Sequence, residues 1–308
     1  MAGSAKGPIY AAIAANVAIA ISKFIAATFS GSSAMLSEGI HSLVDTGNGF
    51  LLLFGIRQSK KKPDANHPLG YGQEVYFWTL VVAILIFAIG GGMSLYEGIM
   101  RVQHPEPVGD PTMSYIVLVL AMIFEGAALV FAIRSFNKTR RPGKSFWTEI
   151  RTSKDPTSFA VVFEDTAALI GLVIALIGVF LSQTFNNPLF DSAASLLIGV
   201  LLSIVSVLLA YESKDLLIGE SAFPEVRESI RKIVEADDAV SLMNPPVTMH
   251  LGPQDILVAL DVEFKDELTA DDIEASITRI EKAIREDNSS VKRIFIEAKS
   301  LTKVKTGS

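Results

Sequence analysis

The sequence predicts an α-helical membrane protein with six transmembrane helices, followed by a small cytoplasmic α+β domain in the order α-β-β-α-β. Three observations predict it. The chain has 308 residues, is 50% hydrophobic and has a mean hydropathy of +0.41, too apolar for an ordinary soluble domain. The long apolar runs fall between residues 9 and 212, whereas 213–308 is rich in Lys, Glu and Asp. The basic residues gather in alternate connections between the apolar runs.

A spanning helix needs about 20 mostly apolar residues. Six segments qualify: 9–29, 33–56, 75–99, 114–134, 158–183 and 189–212. Residues 1–212 therefore form a transmembrane domain and 213–308 a C-terminal one. The connection after span two carries Arg57, Lys60, Lys61 and Lys62. That between spans four and five carries Arg134, Lys138, Arg140, Arg141, Lys144, Arg151 and Lys154. The opposite side has only Arg101. The basic side is cytoplasmic, so both termini are expected inside, in a multi-pass protein of the cell membrane. The charges of 134–154 could also meet lipid headgroups. Nothing resembles a cleavable signal peptide.

The tail has a mixed rhythm. Residues 223–240 have helical spacing, with Val226, Ile230, Ile233 and Val234 on one face. "VTMHLG" and "DILVALDVEF" read as strands around Gly252-Pro253. Residues 269–287 read as a second amphipathic helix, with Thr269 and Asp272 spaced as a capping box, and "VKRIFIEAKS" as a last strand.

Six ionisable residues fall at membrane depth: Glu38, His41 and Asp45 on span two, Glu125 on span four, Glu164 and Asp165 on span five. Each costs at least a few kcal/mol there, which calls for a partner, a cavity or a function. Glu38, His41, Asp45 and Asn48 share an arc of roughly 80° on a helix, and His41 and Asp45 are i,i+4 neighbours. Glu164 and Asp165 flank one line along span five. Helical rise puts Asp165, Glu125 and Asp45 about 12, 14 and 17 Å from the cytoplasmic edge, near one level. His41, Asp45, Asp165, Glu164 and Asn48 are the candidate metal residues. Glu125 and Glu38 are candidates for a proton pathway, and Glu38, nearer the outer surface, reads as an access residue. Asn16 on span one reads as an interhelical hydrogen-bonding residue. With no cysteine, a metal can be held only by N and O ligands. Imidazole with carboxylate suits Zn²⁺, and a carboxylate-rich shell also suits Mn²⁺. An intramembrane protease would need a nucleophile or a His-Glu-x-x-His site. The chain offers no Cys and one intramembrane His, so no enzyme is expected. The net charge of −6 hides the contrast between the two halves and says little about partners. No nucleic-acid partner and no cofactor beyond a transported metal are expected.

These residues resemble the cation diffusion facilitator family over nearly the whole chain. The resemblance implies six spans, cytoplasmic ends, a tail similar to copper chaperones, a homodimer, and export of a divalent metal against entering protons. The family's central site takes His or Asp four residues before Asp on spans two and five. "HSLVD" (41–45) matches the first half. Val161 stands four residues before Asp165, so Glu164 takes the missing place, similar to the zinc transporter nine-like branch. "DANHPLGYGQE" (64–74) resembles the family's His-x-x-Gly-His loop, with His67 matching the first His and Tyr71 in place of the second. It is read as structural. In the tail, Asp261 and Glu297 align with ligand positions of some members and are read as surface charge. Gln73 stands near an expected Lys, so the family's Lys–Asp dimer contact is not carried over. Zinc is the expected cargo. Mn²⁺ or Fe²⁺ export by the same mechanism, and a non-transporting scaffold with a relic site, stay open.

Overall fold

A computed structural model describes residues 6–105, 110–139, 143 and 145–301. Of the basic residues read into the connection between spans four and five, Arg140, Arg141 and Lys144 lie outside the described residues. The chain divides into two compact units, Met1–Gln58 with Glu74–Lys214, and Ser59–Gln73 with Asp215–Ser308. The second unit thus takes in the loop after span two, which a single boundary at 212/213 does not anticipate.

The first unit is helical. Helix α1 (Lys6–Ser30) closes on Gly31, whose φ of 67° lets its N–H reach back to Ala27. Helix α2 (Ser33–Ser59) follows at once. Span three is not one α-helix. It runs as α3 (Glu74–Leu85), a π-helical turn (Ile86–Gly91) and α4 (Gly92–Gln103). Gly91 lies against Ser203 and the carbonyl of Gly199, so close that a Cβ would not fit. Helix α5 (Thr112–Thr139) packs on α1 and on α7 (Pro156–Phe185). A short helix α6 (Phe146–Thr152), not expected from the sequence, precedes α7. Asp155 starts α7 by accepting from the Thr157 N–H, with Pro156 in the first turn, and Asn186 in the left-handed region ends it. Helix α8 (Leu189–Ile218) completes the unit.

Among the described residues, four helical stretches are long and apolar enough to cross a membrane: Glu74–Gln103, Thr112–Asn137, Phe159–Phe185 and Leu189–Ile218. Asn16–Ser30 is a shorter apolar stretch, and α2 carries a polar stripe through Ser37, Glu38, His41, Asp45 and Asn48.

The second unit ends in an α+β domain: α9 (Pro224–Glu235), β1 (Val240–Met243), β2 (Val247–Gly252), β3 (Asp255–Phe264), α10 (Ala270–Asp287) and β4 (Val291–Ala298). The order is α-β-β-β-α-β, one strand more than expected. The helical reading of 223–240 overran because α9 stops at Glu235. There Asp237 draws the Ala239 N–H and the Arg279 guanidinium to its carboxylate, and the chain turns into β1. β3 is central, antiparallel to β1 and β2 and parallel to β4. Its Ile256, Val258, Leu260, Val262 and Phe264 alternate into the core beneath Ile230 and Val234 of α9 and Ile280 and Ile284 of α10. Thr269 and Asp272 form both bonds of the capping box.

In the loop 59–73, the Asp64 carboxylate accepts from the Tyr71 hydroxyl at 2.6 Å and from the N–H groups of Asn66 and His67 at 2.9 and 2.8 Å. Those bonds, the Tyr71 one foremost, hold its carboxyl below the usual Asp range. Gly72 lies directly on the Leu251 carbonyl and beside Gly252, at the end of β2. In the sheet, Asp261 faces Glu297, and Lys299 bridges them at 3.0 and 3.2 Å.

Candidate metal site

The site is built on α2, whose start is set from another helix. Asp191, in the first turn of α8, accepts from the Ser33 N–H at 2.5 Å and the Ala34 N–H at 3.3 Å. It also accepts from the hydroxyls of Ser32 and Ser33 at 2.6 and 2.9 Å. The Ser32 hydroxyl in turn accepts from the Met35 N–H. A carboxylate at a helix N-terminus satisfies orphan donors and meets the positive end of the dipole. With that end pinned, Glu38, His41, Asp45 and Asn48 follow at helical spacing on the buried side of α2.

The structure brings Asp45, Glu125, Glu164 and Asp165 to one cavity of about 150 Å³, with Asn16 and Ser42 also on its wall. Its volume holds a cation with several waters. Four carboxyl groups from three helices thus line one cavity. His41 is 2% exposed, and its Nδ1 lies 3.4 Å from Asp45 Oδ1 without hydrogen-bond geometry. Asn48 donates to Glu164 Oε1 at 3.2 Å, linking α2 to α7. Neither His41 nor Asn48 is on the cavity wall.

Among the described residues, several buried polar atoms here have no hydrogen-bond partner: both ring nitrogens of His41, Asp45 Oδ1, Asn48 Oδ1 and Glu38 Oε1. Each such atom costs about 1–3 kcal/mol. All but one ring nitrogen of a neutral imidazole are lone-pair acceptors, the donor set a divalent cation takes. Among the described residues, no three His, Asp or Glu side chains converge tightly enough to hold a metal at once.

Glu38 is placed differently from its expected access role. It is fully buried, off the cavity wall, and paired with Lys23 of α1 at 3.0 Å. Lys23 is the residue that the count of six intramembrane charges omits. The signal was present, a lone Lys in an apolar run. Seven residues from the end of its helix, such a side chain is readily taken for one that stretches to the interface. Nothing in the sequence around Asp191 marks its role, which depends on a helix terminus more than 150 residues away. Asn16 is exposed on the cavity wall and makes no interhelical hydrogen bond among those described.

A family model for the cation efflux transmembrane domain matches residues 9–218. The human proton-coupled zinc antiporter SLC30A9, mitochondrial, is 35% identical over 263 residues, covering 84% of this chain and 46% of that protein. The Xenopus laevis protein of that name is 32% identical over 333 residues, covering 95% of this chain and 60% of its own. Metal tolerance protein C4 of Arabidopsis thaliana is 30% identical over 240 residues, covering 78% and 52%. The chain thus spans about half the length of these curated relatives.

Proposed function

We propose that this chain, which belongs to the cation diffusion facilitator family on its zinc transporter nine-like branch, is a secondary transporter that exports a divalent metal, zinc, in exchange for protons. The observation that carries the reading is the cavity in which Asp45, Glu125, Glu164 and Asp165 meet beside buried acceptors that lack partners. The names of the human and Xenopus relatives, which specify zinc and proton coupling, support cargo and counter-ion.

In this reading all six long helices span the membrane, α2 included, since its polar stripe is buried among neighbouring side chains and does not face lipid. Both termini lie in the cytoplasm of a cell-membrane protein, and the C-terminal domain pairs two copies. Metal enters the cavity and binds Asp45, Glu164 and Asp165, with His41 drawn in from beside Asp45 and Asn48 holding Glu164. Metal and protons compete for the same lone pairs, so protons arriving from the far side displace the ion. Glu125, on the same wall but on α5, carries a proton without leaving the cavity. Rocking of helices around the site supplies alternating access. Manganese keeps the mechanism with a more carboxylate-dominated shell.

Purified protein in liposomes tests this through Zn²⁺ and Mn²⁺ uptake under a pH gradient, with Asp45→Ala and Asp165→Ala alongside. Uptake of zinc, stimulated by an opposing proton gradient and lost in both variants, is the expected result. Preference for Mn²⁺ would reassign the cargo. Uptake indifferent to both substitutions would displace the site. Absence of flux for Zn²⁺, Mn²⁺ and Fe²⁺ in folded protein would favour a scaffold.

A further inference from the structure

Lys23 is fully buried, and its Nζ donates to Glu38 Oε2 at 3.0 Å and to Ser42 Oγ at 2.7 Å. The ammonium is therefore turned into the helix bundle and does not reach for an interface. Glu38 Oε1 rests against Gly171 of α7, where even a Cβ would collide with it, and the Phe24 ring packs over Gly39. Helices α1, α2 and α7 thus meet tightly at this level. The cavity reaches Ser42 and Asp45, while Glu38, one helical turn nearer the α1–α2 turn, is not on its wall. The Lys23–Glu38 pair thus lies just beyond Ser42, on the side of the cavity toward the α1–α2 turn.

We propose that Lys23 is a positioning residue for transport, whose ion pair with Glu38 closes the pathway toward the α1–α2 turn so that cargo leaves by that end only when the pair parts. This rests on, and deepens, the transport reading. An ammonium and a carboxylate buried together hold each other firmly, because separating them leaves two uncompensated charges out of water. Something must offset that separation, and the cargo is placed to do so. Ser42 touches Lys23 and also lines the cavity, three residues before Asp45. A divalent cation on Asp45 therefore sits about one turn from the ammonium. It repels Lys23 and attracts Glu38, which weakens the pair. Once the cation has left, the pair re-forms and closes the empty pathway.

The chain contains no cysteine, so one introduced thiol reports accessibility without background. Ala175 is fully buried, four residues beyond Gly171 on the same face of α7 and one turn nearer the closed end. Labelling of Ala175→Cys by an impermeant thiol reagent is measured in detergent, with zinc flux measured in liposomes. Lys23→Met is expected to raise the labelling rate about tenfold, as when a state held at a few per cent becomes a major one. The swap of Lys23→Glu with Glu38→Lys, which keeps the pair, is expected to restore protection. Unchanged labelling in Lys23→Met, or a swap that labels as fast as Lys23→Met, would overturn the proposal. If Lys23→Met does not fold, the swap decides alone in folded protein: protection at position 175 supports the pair, and labelling about tenfold faster than in the otherwise unsubstituted Ala175→Cys protein overturns it. Failure of the transport reading shows separately, as absence of zinc flux in the unsubstituted protein.

Discussion

Replacing Asp191 by Ala should loosen the start of α2 more than its place at the edge of α8 suggests. The carboxylate accepts four bonds, from the Ser33 and Ala34 N–H groups and the Ser32 and Ser33 hydroxyls, and is 8% exposed. A hydrogen bond to a charged group contributes about 1.5–3 kcal/mol, and a lost N-cap costs about 0.5–2 kcal/mol. The four are not additive, since the hydroxyls can turn to other acceptors while the two N–H groups cannot. The two amides together with the lost charge at the helix end give a cost of about 3 kcal/mol. For a chain of 308 residues that is a fall in Tm of about 5 °C. Asp191→Asn keeps one acceptor oxygen for the amides and should cost about a third as much. Thermal unfolding of both variants in one detergent checks the ranking. An Asp191→Ala protein as stable as the original, or an Asn variant worse than Ala, would refute the reasoning.

Other outcomes follow from single contacts. Gly171→Ala should force the Glu38 carboxylate aside and cost about 1–3 kcal/mol by overpacking, and the shorter Glu38→Asp in the same protein should recover part of it, read as Tm. Gly72→Ala should separate the loop 59–73 from Leu251, because the new Cβ meets backbone that cannot turn away, and limited proteolysis within 60–70 should quicken several-fold. Asp237 is pushed up by burial, but the Arg279 guanidinium, the Ala239 N–H and the Ser276 hydroxyl outweigh that and hold it below its ordinary 3.8. Its contribution is therefore full above pH 3.8 and is lost as pH falls through the lower folded value. Asp237→Asn should cost about 1.5–3 kcal/mol at neutral pH and progressively less in acid, measured by hydrogen exchange of the β3 amides.

Much of this was legible from the chain itself because two periodicities carry it. The apolar runs mark the long helices, and alternation in 255–264 marks the central strand. The His41–Asp45 spacing on one helix needs no tertiary knowledge, and neither does the pair Glu164–Asp165. What was not legible depends on distance. Lys23 takes its meaning from Glu38 and Ser42 on the neighbouring helix. Asp191 takes its from Ser33, 158 positions away. Strand β1 is hidden in the sequence because Val240 continues the spacing of α9, and the contacts of Asp237 with Ala239 and Arg279 mark where the helix stops. The π-helical turn at Ile86–Gly91 leaves the apolar composition unchanged, so nothing in hydropathy marks it.

The loop 59–73 makes the chain cross between its two units three times, at 58/59, 73/74 and 214/215. A stop codon after Lys214 is the obvious way to ask what the tail contributes. It would also remove the Leu251 carbonyl and Gly252 that seat Gly72, leaving the segment that directly continues α2 without its floor. Loss of activity in such a truncation would mix the absence of the tail with a frayed end on the helix that carries His41 and Asp45. A clean dissection must preserve the strand end and alter the rest of the tail by substitution.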